Sequence, residues 1–315
     1  YVNTIKSASD NLLSIINDIL DFSKIEAGKM ELVEQEYNLI SQMNDIQNVV
    51  NTRIDKKNIA FIIEMNPTMP VVLFGDELRI QQILLNLLTN AVKFTQEGQI
   101  LLSFDYRPLE DDKIMLKIVV SDSGIGIKEE DKGKLFKAFT QLDMERNKNI
   151  EGTGLGLAIT SELIRKMNGT IQLDSEYGQG STFTVELEQG VYDRAPYSGL
   201  MSEALKKKVC LYEENTYYRQ GLIRLFDSLN MESTVLEHIS EAENILQDTQ
   251  EEYLFFDYST THEQVLQLAE RFKKTSFVAM VRINDTVNEA ADTGIQYIHK
   301  PLSLYSLIPL LRGEL

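Results

Sequence analysis

Residues 151–159 read EGTGLGLAI. Gly152, Gly154 and Gly156 stand at alternate positions and run directly into an apolar segment with helical spacing, a pattern that predicts a helix from about Thr153 to Met167. Glycine lets a backbone approach another group closely and adopt positive φ, and the free N–H groups at a helix start suit a polyphosphate. The stretch is not a Gly-x-x-x-x-Gly-Lys-Ser/Thr phosphate loop, and no βαβ unit surrounds it as a dinucleotide-binding turn would require. Alone, it says only that a backbone comes close to something at a helix start.

Two further stretches give it context. DELRIQQILLNLLTNAVKFT (76–95) predicts an amphipathic helix from Glu77 to Thr95, on which Asn86, Asn90 and Lys93 follow at steps of four and three, with Gln82 a turn earlier. A polar stripe of this kind is ordinarily a solvated face. DSGIGI (122–127) follows the apolar strand KIVV and sets a carboxylate directly before two glycines. Asp-x-Gly-x-Gly is common in turns. Buried at a strand end, however, Asp122 can accept a hydrogen bond from an exocyclic amine, while Gly124 and Gly126 let a flat base approach the backbone.

Around these motifs the chain divides by pattern. In residues 1–30, Ile5, Ala8, Leu12, Ile15, Ile19 and Phe22 alternate steps of three and four, and Leu13, Ile16 and Leu20 widen the stripe to that of a helical bundle. Residues 31–189 interleave strand patterns (Ile59–Glu64, Gln99–Asp105, Ile114–Asp122, Thr170–Asp174, Ser181–Leu187) with the two helices, which predicts an α+β sandwich with helices on one face of a mixed sheet. Residues 190–205, GVYDRAPYSGLMSEAL, carry no periodicity and read as a linker. Residues 206–315 alternate strand and helix five times: VCLY with a helix over Thr216–Leu229, STVLE with one near Ala242, YLFFD with one over Glu263–Phe272, FVAMV with one near Ala290, and YIHK with a closing helix. That predicts a doubly wound parallel sheet.

Composition narrows the function classes. The 315 residues are 43% hydrophobic and 25% charged, with net charge −17, so a broad nucleic-acid-binding face is not expected. An anionic ligand must be held by backbone amides, a lysine or a metal. The one cysteine, Cys210, cannot form an intrachain disulfide, which suits the cytoplasm. No run reaches the length of a membrane span, LLSIINDIL being broken by Asn17 and Asp18, so no membrane contact is expected of this segment. Because the first residue is Tyr1, the chain reads as a fragment of something longer.

Asn86-x-x-x-Asn90-Ala91, Asp122-x-Gly124-x-Gly126, Phe136-x-x-Phe139 and Gly152-Thr153-Gly154-Leu155-Gly156-Leu157, in this order and spacing, resemble the N, G1, F and G2 boxes of sensor histidine kinases. INDILDFSKIEAGKMEL resembles the second helix of that family's dimerisation and phosphotransfer hairpin. The resemblance implies the GHKL ATPase and kinase fold and an ATP site. In it Asn90 ligates Mg²⁺, Asn86 and Lys93 contact phosphates, Asp122 reads the adenine amine, and Gly152–Leu157 wrap the phosphates. The segment between Phe136 and Gly152 becomes a nucleotide lid whose basic contact is Arg146 or Lys148, and Glu151 stands where the family usually has glycine.

Gyrase-type and Hsp90-type ATPases share that fold but carry a water-activating glutamate one turn before the metal-binding asparagine. Here that residue is Asn86, and an amide is no general base, which favours phosphoryl transfer to an incoming nucleophile. The family's nucleophile is a histidine on the first hairpin helix. The histidines here, His238, His262 and His299, all lie in the second region, so the fragment is expected to bind ATP without autophosphorylating. A non-catalytic nucleotide-sensing scaffold and a gyrase- or Hsp90-like ATPase are the alternatives.

The second region resembles response-regulator receiver domains, with Glu213 and Glu214 at the acidic metal-binding pair, Asp257 at the phosphoacceptor and Lys300-Pro301 after the fifth strand. Val281 stands where a hydroxyl residue is expected, and the acidic pair consists of longer glutamates. It reads as a degenerate receiver with a structural or regulatory role; an active receiver that tolerates these changes is the alternative. This order resembles hybrid sensors of the GacS and BarA type. It implies a homodimer through the hairpin, an inner-membrane sensor upstream, a competent receiver and a histidine phosphotransfer domain downstream, and a cognate response regulator.

Overall fold

The computed structural model describes residues 2–54, 57–140, 154–196, 207–248, 252–282, 285, 287 and 294–313. Arg146, Lys148, Glu151, Gly152, Thr153 and the helix expected near Ala290 lie outside the described residues. In chain order the elements are α1 (Val2–Glu26), β1 (Gln35–Asn38), α2 (Leu39–Ile54), β2 (Asn58–Met65), β3 (Pro70–Gly75), α3 (Glu77–Phe94), β4 (Glu97–Pro108), β5 (Lys113–Asp122), α4 (Glu129–Lys132), α5 (Gly156–Lys166), β6 (Thr170–Glu176) and β7 (Gly180–Pro196). Then follow β8 (Lys208–Tyr212), α6 (Thr216–Ser228), β9 (Glu232–Val235), α7 (Ala242–Asp248), β10 (Tyr253–Asp257), α8 (Tyr258–Arg271), β11 (Ser276–Val281), β12 (Ile295–His299) and α9 (Leu304–Leu311).

The first sheet has the order β1-β3-β7-β5-β4-β2, with β6 also paired to β7. It is mixed: β2 and β4 are parallel, while β5 and β6 each run antiparallel to β7. The second sheet has the order β12-β11-β10-β8-β9 and is parallel throughout. By compactness the chain forms two units: residues 1–46, 72–96 and 106–192, and residues 47–71, 97–105 and 193–315.

In the first unit α3 is set by its cap and its apolar face. Asp76 is buried, accepts a hydrogen bond from the Arg79 N–H at 3.0 Å on one oxygen, and accepts from the Val33 N–H at 2.9 Å on the other. Glu77 in the first turn and Lys93 in the last complement the helix dipole. Ile80, Ile83, Leu84, Leu87, Leu88, Ala91 and Val92 are buried, and the helix packs on α5 and β5. Asn86, Asn90 and Lys93 are half-buried rather than solvated. On α1 the stripe Leu12, Leu13, Ile15, Ile16, Ile19 and Leu20 is 40–59% exposed.

In the second unit the parallel sheet buries Leu254, Phe256, Phe277, Ala279 and Val281 together with Val265 of α8. The lone Cys210 is free and buried. Among the described residues no helix is long and apolar enough to cross a membrane.

Three differences from the sequence expectation have physical causes. β7 continues to Pro196, so residues 190–196 are strand rather than linker; Gly190 still pairs with Lys113, and the Val191 N–H donates to the Asp112 carbonyl at 2.8 Å. Helix α8 begins at Tyr258, not Glu263, because the Asp257 side chain caps it by accepting from the Ser259 N–H. β1, α2 and β3 are additions: β1 is held by the buried Tyr37, whose hydroxyl donates to Gln189 Oε1 at 3.0 Å, and α2 buries Leu39, Met43, Ile46 and Val50.

Candidate nucleotide site

Helix α3, the end of β5 and the start of α5 bring the sequence motifs together. Asn86 Nδ2 donates to the buried Thr160 Oγ1 of α5 at 2.8 Å, which ties the two helices side by side. That bond sets the glycine requirement at the helix start: a Cβ on Gly156 would lie 2.3 Å from Asn86 Oδ1. Gly156 is therefore needed for helix-to-helix approach, and the Asn86 amide is a clasp within the protein as well as a polar group at the site.

Asp122 closes β5. Its Oδ1 accepts from the Gly124 N–H at 2.8 Å, and it stands opposite Ser181 of β7. Burial pushes its carboxyl above the ordinary range, while the amides of Gly124 and Ser181 pull the other way. A half-buried carboxylate with remaining acceptor capacity is suited to an amine donor. The glycines that follow are also required by the protein around them. A Cβ on Gly124 would lie 2.5 Å from the Phe94 carbonyl oxygen, and one on Gly126, at φ 65°, would lie 2.0 Å from the Glu176 carbonyl oxygen. They let the loop pack against the end of α3 and the β6–β7 hairpin, which fixes Asp122 in place. Ser175 completes the support, its Oγ accepting from the Ile127 N–H and donating to the Gly180 carbonyl, both at 2.8 Å.

Lys93 lies along the same face of α3, its ammonium 5.2 Å from the Phe94 ring centroid, and partial burial pulls its pKa down. Asn90 is half-buried one turn from Asn86. The Phe139 N–H donates to the Gly154 carbonyl at 3.0 Å, which holds the residues before α5 against the Phe136–Phe139 segment. Phe139 is 69% exposed and packs edge-on against Phe22 of α1, ring centroids 5.8 Å apart.

Several contributors carry no sequence signal of their own. Thr160 is one ordinary helix residue among many. Asp21 of α1 accepts from Gln82 Nε2 at 2.9 Å and from Arg79 Nη1 at 3.3 Å, and Arg79 also donates to Gln82 Oε1 at 2.8 Å. Gln82 is thus engaged with α1, one turn from Asn86. The Asp76 cap was readable in principle, since an aspartate directly before the periodic ELRI run is a helix-start signature.

In the second unit the receiver-like residues only partly converge. Lys300 Nζ lies 2.6 Å from both Glu213 Oε2 and Asp257 Oδ2, with all three side chains no more than 4% exposed. Glu213 Oε1 accepts from the Asn215 N–H at 3.0 Å, and Asp257 Oδ1 accepts from the Ser259 N–H at 2.9 Å and the Ser259 hydroxyl at 2.6 Å. Burial pushes Glu213 above the ordinary range in spite of Lys300. For Asp257 burial acts upward too, but Lys300 and Ser259 outweigh it and hold the carboxyl low; for Lys300 the two carboxylates outweigh burial and hold the ammonium high. Glu214 is exposed and accepts from the Tyr212 hydroxyl at 2.8 Å, which pushes the phenol, already raised by burial, to about 12. Of the glutamate pair, Glu213 is paired with Lys300 and Glu214 with the Tyr212 hydroxyl. Among the described residues no group of three or more His, Cys, Asp or Glu is placed to hold a metal ion. Val281 is buried at the end of β11.

A family model described as histidine kinase-, DNA gyrase B-, and HSP90-like ATPase matches residues 75–191, the stretch that holds the described part of the site. Hybrid signal transduction histidine kinase B of Dictyostelium discoideum is 34% identical over 269 residues, 78% of this chain and 14% of that protein. The signal transduction histidine-protein kinase BarA of Escherichia coli (strain K12) is 36% identical over 68% of this chain and 23% of its own length. The sensor protein GacS of Pseudomonas syringae pv. syringae is 36% identical over 78% of this chain and 27% of its own. The chain thus spans little more than a quarter of such relatives at most. The crystal structure of full-length ShkA in complex with AMPPNP shares the fold over 99% of this chain and 64% of ShkA, with a TM-score of 0.74 at 24% identity.

Proposed function

We propose, from the premise that residues 75–191 are a histidine kinase-, DNA gyrase B- and HSP90-like ATPase domain, that the chain is the ATP-binding catalytic core of a hybrid sensor histidine kinase. The observation that carries this is the clasp of Asn86 on Thr160, which lays the polar face of α3 beside the N-terminus of α5 while Asp122 stands half-buried at the strand end. The residues present fit a purine nucleotide. Asp122 would accept from the adenine amine. The N–H groups at the start of α5, with Lys93, would hold phosphate oxygens. Asn90 offers an amide oxygen of the kind Mg²⁺ takes, and bound Mg²⁺ would neutralise charge on the phosphates. In this reading Gly152–Leu157 with Arg146 or Lys148 complete the phosphate wrap.

Phosphoryl transfer asks a protein mainly for positioning and charge neutralisation. Asn86, already donating to Thr160, holds the two helices in register and offers no base to activate water. The γ-phosphoryl group would go to a histidine on a hairpin helix, with residues 1–30 as the second helix of that hairpin. The exposed stripe Leu12, Leu13, Ile15, Ile16, Ile19 and Leu20 supports pairing with hairpin helices in a homodimer.

Residues 206–315 would form a receiver-type domain after a short linker. Both oxygens of Asp257 are engaged, one by Lys300 and one by Ser259, and Glu214 is exposed and bound to Tyr212; this supports a degenerate receiver. Partners on this reading are a downstream receiver, a phosphotransfer domain and a response regulator, within a membrane-anchored sensor. The test is to mix the chain with a separately made phosphoacceptor hairpin and labelled ATP. Acid-labile label on the hairpin histidine is expected. ATP binding with no transfer would leave a nucleotide-sensing scaffold, and fast ATP turnover without hairpin a gyrase-like ATPase.

A further inference from the structure

Strand β2 ends the order of its sheet, yet Ile59, Ala60, Phe61, Ile62 and Ile63 are all buried. An unbroken apolar run of this kind marks a strand covered on both faces. Pairing with β4 satisfies one edge of β2, and the other edge and the outer face need a cover of their own. The compact unit that contains residues 193–315 also takes in residues 47–71 and 97–105, so by compactness β2 goes with the second region of the chain.

Two elements of that region meet β2. Helix α6 packs on it. Gly221 stands inside α6, where glycine is unfavourable, and a Cβ there would lie 2.9 Å from Ile62 Cγ2. On the same helix the Tyr218 hydroxyl accepts from the Phe61 N–H at 3.3 Å, which occupies an outward donor of the edge, and Arg224 Nε donates to Glu64 Oε1 at 2.6 Å. The loop after β12 is the second element. Pro301 and Leu302 are buried there, and the Lys300 carbonyl accepts from Asn51 Nδ2 of α2 at 3.3 Å. The gap left among Phe61, Ile62, Tyr218, Leu222, Pro301 and Leu302 is about 10 Å³, room for one water at most. Apolar packing, an edge hydrogen bond and an ion pair thus fall on one face, and α6 goes without a side chain at Gly221 to make it.

We propose that the face built by α6 and residues 300–302 is a dedicated seat for β2 of the same chain, and that it keeps the second region on the edge of the seven-stranded sheet as a fixed part of the molecule. Residues 206–315 then do not swing on the chain between β7 and β8, although domains joined by a linker ordinarily move relative to one another. Helix α6 is also closed to any other protein, so a partner that recognises the second region uses a different face. Neither nucleotide binding nor phosphoryl transfer enters, so this inference stands or falls apart from the proposed function.

The test is ¹⁵N relaxation of the full chain, which gives rotational correlation times for the amides of β2 and of β10 separately. The parent should show one time for both strands. Gly221→Val sets a branched side chain against Ile62 and should lift α6 off β2, so that β10 amides tumble about twofold faster than those of β2 or more. Ile62→Ala removes as many carbons as Gly221→Val adds, so the double variant conserves volume and should return to one time. Separate times in the parent would overturn the proposal, as would a single time in Gly221→Val. Where Gly221→Val alone does not fold, the double variant decides. Failure of Ile62→Ala to restore a folded chain with one time overturns the proposal, since the contact between these two residues is then not what holds the region in place.

Discussion

Gly156→Ala isolates the clasp that organises the site. The new Cβ would lie 2.3 Å from Asn86 Oδ1, 3.0 Å from Cγ and 3.3 Å from Nδ2, so the amide must retreat by about 1 Å to reach ordinary contact. That movement takes Nδ2 off Thr160 Oγ1, now 2.8 Å away, and leaves a buried hydroxyl without this partner. A lost hydrogen bond of this kind costs about 1 kcal/mol, and forcing a methyl into a filled space costs roughly 1–3 kcal/mol. Alanine's better helix propensity returns less than about 1 kcal/mol. The net expectation is a loss of about 2 kcal/mol. In an Asn86→Ala background the obstruction is absent, so the same substitution should be neutral or slightly stabilising. Urea unfolding of the four variants of this cycle gives the coupling directly. Equal cost of Gly156→Ala in both backgrounds, within about 0.5 kcal/mol, would refute the reasoning.

Other expectations follow from the same geometry. Asp122→Asn should weaken ATP binding by roughly tenfold or more, corresponding to about 1.4 kcal/mol, with little change for GTP; competition binding with both nucleotides checks this, and equal weakening would remove Asp122 from base recognition. Asp21→Ala removes the shared acceptor of Arg79 and Gln82, and because that pair is partly exposed the stability loss should stay near 1 kcal/mol or below while exchange of α1 amides rises. The buried triad has a pH signature. Asp257 is held low, so the stability it contributes is present above its unfolded value and is lost as pH falls through its folded value; Lys300 is held high, so its contribution is lost only as pH rises through its folded value. In the parent the Asp257 contribution is lost in acid, whereas Glu213, raised by burial, works the other way and favours the fold as pH falls through its folded value. In Lys300→Met the carboxylates lack their cation, their pKa values rise above the unfolded ones, and thermal stability should increase as pH is lowered from 7 towards 5. A parallel pH profile for parent and variant would contradict this.

How much could be read from the residues alone depended on whether the cause was local. The face of α3 with Asn86, Asn90 and Lys93, the strand ending in Asp122, and Gly154 with Gly156 at the start of α5 are repeating or punctuating patterns, and the structure has them in those elements. The strands of the second sheet were equally legible, most plainly the central β8, β10 and β11, because buried parallel strands read as short apolar runs. What was hidden depends on partners far along the chain. Thr160 matters because Asn86 reaches it, and Gly124 and Gly126 lie against the carbonyls of Phe94 and Glu176. β7 beyond Gly190 has no apolar alternation to signal it; the pairing with β5 runs to Gly190, and the Val191 N–H still donates to the Asp112 carbonyl. Gly221 inside α6 was a visible anomaly whose explanation, Ile62 of β2, lies 159 positions away.

The central claim is that α3, Asp122 and the start of α5 form one Mg-ATP site. Calorimetric titration of the full chain with ATP, with and without Mg²⁺, on parent and Asn90→Ala tests it most directly. The account predicts saturable one-to-one binding that Mg²⁺ strengthens in the parent and no longer strengthens in Asn90→Ala. Absence of binding, or binding to which Mg²⁺ and Asn90 make no difference, would contradict it.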